Sequence, residues 1–195
     1  MGQAIPSQSY ENSLPPSDPD AGLIHAIARR DKRALADLYA KYASGLQAFL
    51  CAKLDDSALA EEIVQDVMLA VWQYAHQFEG RSSVKTWLLT IAHNRAVNAI
   101  RKKRLPIIQL SDAFDVPSSE PTATQTMEKV DMEARVQRAI QQLPAGYREV
   151  LTLTFYHQLS GQEIADVLDI SLGTVKSRLF RAKEQLKQRL GQEEW

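Results

Sequence analysis

Apolar residues recur at helical intervals from Asp20 to Arg104, and nothing alternates with strand periodicity over a useful length. Asp20 stands where it would cap a first helix, and Asp31 a second. Around Ile63, a wheel at helical pitch gathers Leu59, Ala60, Val67, Ala70, Val71 and Tyr74 into a core stripe. Over 83–104, Leu88, Leu89, Ala92, Ala96, Ala99 and Ile100 form another. Residues 105–127 break the pattern, with Pro106, Pro117 and Pro121 set among Ser, Thr, Asp and Glu. Helical spacing resumes at Glu128 and runs to the C-terminus, broken at Leu143-Pro144; "VLTLTF" (150–155) is ambiguous between helix and strand. Residues 1–19, rich in Ser, Pro, Gln and Asn, read as a loose tail. The expectation is an all-α protein. Two small helical domains, 20–104 and 128–195, are joined by a flexible acidic linker at 105–127.

Each outer face adds information. Opposite the stripe on Ile63 lie Glu61, Glu62 and Gln65, with Asp66 on the flank, and also Met68, Leu69 and Trp72. Large apolar residues among acids suit a docking surface for a basic partner. A neighbouring helix covering that face explains them equally well. In the next helix, Trp87, Ile91, Asn94, Asn98 and Arg101 form a stripe running from aromatic through amide to guanidinium, flanked by Arg95 and Lys102. Amides bond base edges and aromatics stack on unpaired bases, so this stripe favours single-stranded or melted nucleic acid. Cations at a helix C-terminus also answer its dipole. That accounts for Arg101 to Arg104, but not for Arg81, Lys85 and Arg95.

The charge totals hide this sorting. The 195-residue chain has a net charge of −1, which by itself selects no anionic partner. Yet 55–79 carries six acids and no Lys or Arg, whereas 81–104 carries seven Lys or Arg and no acid. Hydrophobic residues, at 45%, suffice for real cores. The lone Cys51 excludes an internal disulfide framework and sits among apolar spacings, as a buried inert thiol would. The start lacks a signal-peptide pattern and no apolar run approaches the ~20 residues of a membrane span, so a cytoplasmic protein is expected.

The densest local signal is "LSGQEIADVLDISLGTVKSRLFRAKEQLKQRL" (159–190). Ser160 and Glu163 are spaced as a capping box with Leu159 and Ile164 as its staple. Ser171 caps the following helix, with Ile170 and Val175 as a second staple. Two short capped helices with this spacing favour a helix-turn-helix over an ordinary amphipathic helix pair. The second helix buries Val175, Leu179, Ala182, Leu186 and Leu190. It presents Thr174, Lys176, Ser177, Arg178 and Arg181, residue types that reach bases and phosphates in a major groove.

Taken together, "ALADLYAKY", "AEEIVQDVMLAVWQ", "VKTWLLTIAHNRAVNAIRKKR" and "LPAGYREVLTLTFYHQLSGQEIADVLDISLGTVKSRLFRAKEQL" resemble, in order, a bacterial sigma factor of the extracytoplasmic-function (ECF) group. The likeness covers about Asp20 to Leu190. It implies a region 2 domain that docks on core RNA polymerase and reads the −10 promoter element, and a region 4 domain that reads the −35 element. Carried over by motif, Glu62, Gln65, Asp66 and Leu69 meet the coiled coil of the β′ subunit. Arg81, Trp87, Asn94, Asn98 and Arg101 serve the −10 element. The loop 78–83 captures a flipped base. Thr174, Lys176, Ser177, Arg178 and Arg181 serve the −35 element. The resemblance also implies that the linker threads near the polymerase active site, where its acids Asp112, Asp115 and Glu120 are hypothesised to mimic nucleic acid. The resemblance further implies contact with the polymerase β subunit and silencing by an anti-sigma factor, membrane-linked or zinc-binding. Many members of the group carry an acid where this chain has Asn98, which puts the −10 base preference in question.

Competing classes have less support. The four histidines lack metal-ligand spacing, and neither a phosphate-cradling glycine loop nor a nucleophile elbow is present, so no catalysis and no cofactor are expected. A stand-alone repressor would need a dimerisation element or sensor pocket. A sigma-like domain that only binds an inhibitor stays compatible with the sequence.

Overall fold

Side chains that meet free amides start most of the helices. The computed structural model describes residues 18–104 and 135–192; the expected linker and most of the expected N-terminal tail lie outside the described residues. Helix α1 is Ala21–Ala28, α2 Lys32–Leu54 and α3 Ser57–Tyr74, which closes in a 3-10 turn, Ala75–Gln77. Helix α4 is Val84–Arg104 and α5 spans 135–141. Helix α6, Ala145–Leu151, winds into a π-helical turn at Thr152–Tyr156. Helices α7, Gly161–Leu168, and α8, Leu172–Gln192, complete the chain. No strand occurs among the described residues; the ambiguous 150–155 segment is α-helix running into π-helix.

Asp31 caps α2 as expected, accepting from the amides of Arg33 (2.8 Å) and Ala34 (3.4 Å). Asp56 does the same for α3, and Ser83 caps α4 by accepting from the Thr86 amide at 3.1 Å. Asp20 departs from expectation. It occupies the first cap position, but its carboxylate makes no cap bond; it pairs instead with Lys41 (2.7 Å) and the Tyr42 hydroxyl of α2. Asp18, placed by sequence in the tail, belongs to the fold, since its carboxylate accepts from the Val84 amide at 2.8 Å, 66 residues away.

Helix α3 is packed by α1, α2 and α4. That enclosure widens its buried face beyond one stripe. Met68, expected on the outer face, is buried at 7% exposure, whereas Tyr74, expected in the core, is 47% exposed. In α4, Val84, Leu88, Leu89, Ala92 and Ala96 are buried, and Ala99 and Ile100 are half-buried. Cys51 is also only half-buried; burial pushes its thiol up and keeps it protonated, with Gln47 hydrogen-bonding opposing that and Asp56 adding to it.

The two helical groups share one apolar core. Val150, Leu153, Leu159, Ile164, Ala165, Val167, Leu168 and Val175 of the C-terminal group join Phe49, Leu88 and Ala92 of the first in a single contiguous cluster. A smaller cluster of Leu143, Leu151 and Ala182 holds α6 to α8.

Candidate nucleic-acid and protein interfaces

On α3, Glu62, Gln65 and Leu69 are exposed and Asp66 is half-exposed. At 58% exposure, Leu69 is an apolar side chain standing in water among acids. Trp72 does not stand with it. The Arg30 guanidinium lies over the Trp72 ring at 5.3 Å from the centroid, and its Nη1 donates to the Trp72 carbonyl at 2.9 Å. A neighbouring element therefore covers one end of the face and leaves Gln65 and Leu69 open.

On α4, Asn94, Asn98 and Arg101 are exposed along one side, and Arg101 Nη2 donates to Asn98 Oδ1 at 3.4 Å. The stripe continues only in part to its N-terminal end. Trp87 and Ile91 are half-buried against the core, with Trp87 tilted on Phe78 at 5.1 Å. Arg81 is exposed beside Glu79, to which it is ion-paired, in the loop where Gly80 adopts a left-handed φ of 69°. Only glycine takes that conformation without a steric cost, so the loop's bend is fixed by residue choice.

In the C-terminal group the capping box forms as its spacing predicts. The Ser160 amide donates to Glu163 Oε2 at 2.9 Å and the Glu163 amide to Ser160 Oγ at 3.3 Å. Asp169 ends α7 in the left-handed region at φ 51°, and Ser171 Oγ accepts the Thr174 amide at 3.1 Å to start α8. This is a helix-turn-helix. Lys176, Ser177 and Arg181 point into water. Thr174 and Arg178 are half-buried: the Thr174 hydroxyl bonds Ser171 Oγ at 2.8 Å, and the Arg178 guanidinium packs over Gly146 of α6. No group of His, Cys, Asp and Glu able to hold a metal occurs among the described residues. None of their helices is long and apolar enough to cross a membrane.

Buried charges lie between the two groups, set by contacts that no local pattern foreshadows. Arg148 and Glu149 of α6 are each 6% exposed, and Glu149 pairs with Lys53 of α2 at 3.1 Å. His93 of α4 and His157 after the π-helical turn are also buried, and His93 Nδ1 and His157 Nε2 have no hydrogen-bond partner among the described residues. Burial, reinforced by Lys53 and opposed by Asp169, lowers His93 to about 4 from an ordinary 6.5. The neutral imidazole thus belongs to the fold. Because the folded value is depressed, the stability it permits is complete above pH 6.5 and is lost as pH falls towards 4. The melting temperature is expected to decline across that window, and His93→Gln to flatten the decline in a calorimetric pH series. An unchanged pH profile in the variant would assign the decline to other groups.

Known proteins match this arrangement. Sigma-70 region 2 matches residues 38–105, and Sigma-70, region 4 matches residues 133–186. Over 170 residues the chain is 39% identical to the ECF RNA polymerase sigma factor RpoE of Cereibacter sphaeroides, covering 86% of this chain and 93% of that protein. CnrH, solved in complex with the cytosolic domain of CnrY, shares the fold at TM-score 0.62 and 24% identity, over 89% of this chain and 98% of that one. RpoE of Bartonella quintana, solved with the anti-sigma factor NepR, matches at TM-score 0.57 and 25% identity, over 80% and 97% of the two chains. Region 2 followed by region 4 defines a Sigma-70 type factor. Within that class, the chain belongs to the family of ECF RNA polymerase sigma factors.

Proposed function

We propose that this chain docks on core RNA polymerase through Glu62, Gln65, Asp66 and Leu69, reads the −10 element with α4 and the −35 element with α8, and so initiates transcription. It acts in the cytoplasm as a regulatory subunit, not a catalyst. The observation that carries this reading is the exposure, on adjacent helices, of Leu69 among acids and of the Asn94, Asn98 and Arg101 stripe. The first suits a protein partner, the second a melted strand. Arg81 and Trp87 flank the stripe beside the Gly80 bend, where a flipped base would lodge. The groove between α6 and α8, lined by Leu151, Leu186 and Leu190 beside exposed Phe155, offers the apolar face for the polymerase β subunit. The solved complex of a similar sigma factor with the anti-sigma factor NepR supports an anti-sigma factor as a further partner.

The test is promoter opening. The protein is mixed with core polymerase and a library of duplex promoters, and unpaired thymines are detected chemically. Sequence-dependent opening that requires both proteins is the expected result; duplex binding by the protein alone, unaffected by polymerase, would make it a conventional regulator. Asn98→Ala removes one amide from the stripe, and a lost hydrogen bond costs ~0.5–1.5 kcal/mol. Opening by this variant is expected to fall severalfold with −35 binding unchanged. Equal loss of both would remove Asn98 from the −10 reader.

A further inference from the structure

We propose that the polymerase-docking surface does not end at Leu69 but continues over the Arg30–Trp72 stack onto a basic corner, Arg29, Lys32 and Arg33, which receives an acidic segment of core RNA polymerase. This rests on the docking face assigned above to α3.

The turn between α1 and α2 makes the corner. Residues 29–33 read Arg-Arg-Asp-Lys-Arg, and all five are exposed. The single acid is already engaged, since Asp31 accepts the amides of Arg33 and Ala34. Arg29, Lys32 and Arg33 form no ion pair among the described residues.

Helix electrostatics explains half of these cations. Arg29 and Arg30 follow the last turn of α1, whose open carbonyls favour positive charge. Lys32 and Arg33 are the first two residues of α2, where free amides disfavour it, and no acid stands in that first turn. Both side chains face water, so packing does not call for a cation at either position. Charge held against the dipole of its own helix, with no partner in the fold, suits an anionic partner outside it.

The backbone at the corner is fixed. The Arg30 amide donates to the Ile27 carbonyl at 2.8 Å and the Asp31 amide to the Ala26 carbonyl at 3.1 Å. This paired closure ends α1 with Arg30 in the left-handed region at φ 69°. Glycine takes that position without steric cost, but only a side chain can do what Arg30 does next. Its guanidinium covers the Trp72 ring and bonds the Trp72 carbonyl. Trp72 follows Leu69 by three residues, which makes them neighbours on one side of α3. Arg30 therefore ties the corner to the docking face, and the two form one surface.

The order of charge along that surface selects the partner. Glu62 to Trp72 spans ~15 Å of α3 at ~1.5 Å per residue. Acids stand towards its start, Leu69 near its end, and the cations beyond Trp72. A partner lying along α3 must offer basic groups to Glu62 and Asp66, and acidic groups to Lys32 and Arg33. Complementary charge of both signs in a set order fixes orientation and register. A nucleic-acid strand is anionic throughout and would be repelled along α3, so the corner goes to the protein partner and not to the promoter.

Lys32→Glu with Arg33→Glu (K32E/R33E) in the full chain tests this. Acids in the first turn answer the dipole of α2, so the melting temperature is expected to hold or rise. Affinity for immobilised core RNA polymerase is expected to fall roughly tenfold at ~0.01 M salt, mostly through slower association. The gap should narrow at ~0.15 M salt, where the screening length drops from ~30 Å to ~8 Å. The Leu69→Glu/Gln65→Lys pair is measured alongside. If that pair loses polymerase while K32E/R33E binds at the wild-type level, the corner is overturned and the α3 face stands. If K32E/R33E alone loses polymerase, the α3 face is overturned and the corner remains a polymerase contact. Promoter DNA binding by the free chain is read on the same samples. A K32E/R33E chain that keeps polymerase affinity but loses DNA affinity assigns the corner to phosphates and overturns the proposal. A melting temperature that falls in step with polymerase affinity overturns it too, by making the two residues a requirement of folding.

Discussion

Leu69→Glu combined with Gln65→Lys is expected to abolish binding to core RNA polymerase while leaving the helical content unchanged. Leu69 is 58% exposed, and Gln65 is exposed one turn before it on α3. Burying a leucine of that kind at the centre of an interface makes it an anchor, and anchors cost ~2 kcal/mol or more when lost. Introducing a charge adds the desolvation of an unpaired group. At 1.4 kcal/mol per tenfold, the dissociation constant should rise by at least roughly thirtyfold. The fold has little stake in either position, since exposed substitutions away from caps and cores stay within ~0.5 kcal/mol. Surface plasmon resonance against immobilised core polymerase measures the first effect and thermal melting the second. Binding within threefold of wild type would remove α3 from the polymerase interface. Met68→Glu is the control that separates the two effects. Met68 is buried, so that variant should lose stability, whereas the Leu69 pair should lose only binding.

That Met68 serves as the control shows where sequence reasoning reached and where it stopped. The helix starts were legible because a cap acts within a few residues of itself: Asp31, Ser160 and Ser171 each bond the amides their spacing predicts. The helix-turn-helix was legible for the same reason. Met68 was misplaced because a wheel knows one helix at a time, and α3 is packed by three others. Asp20 was misassigned because Lys41 and Tyr42, 21 and 22 residues on, compete for its carboxylate more strongly than its own helix. Arg148 lay furthest from reach. Its partners Ala52 and Asp55 are 96 and 93 residues earlier, and no local period links them. The candidate sites divide along the same line. Exposure of Asn94, Asn98 and Arg101 follows from α4 alone, whereas the partial burial of Trp87 comes from Phe78, a loop residue.

The second large effect concerns α8, where two arginines that look alike in sequence are expected to behave differently. Arg181 is exposed, whereas Arg178 is half-buried with its guanidinium against Gly146. An arginine that contacts a base contributes ~1–3 kcal/mol and specificity at one position. Arg181→Ala should therefore weaken binding to a −35 duplex by ~1–3 kcal/mol, roughly five- to a hundredfold, without changing the melting temperature. Arg178→Ala removes a side chain that also covers α6, and the aliphatic stem of an arginine packs as well as its charge. It should lose affinity and lower the melting temperature together. Fluorescence anisotropy over a salt series, with calorimetry on the same samples, separates them. If Arg181 touches a base, its variant relaxes preference at one position of the duplex; if it touches only phosphate, the variant weakens all sequences alike and reduces the salt slope by about one. Loss of −10 opening with full −35 affinity in either variant would reverse the roles of α4 and α8. Arg178 also ties the proposed reading to folding: the side chain that braces α6 is on the helix proposed to enter the groove, and Arg148 of α6 donates to the Ala52 carbonyl of α2.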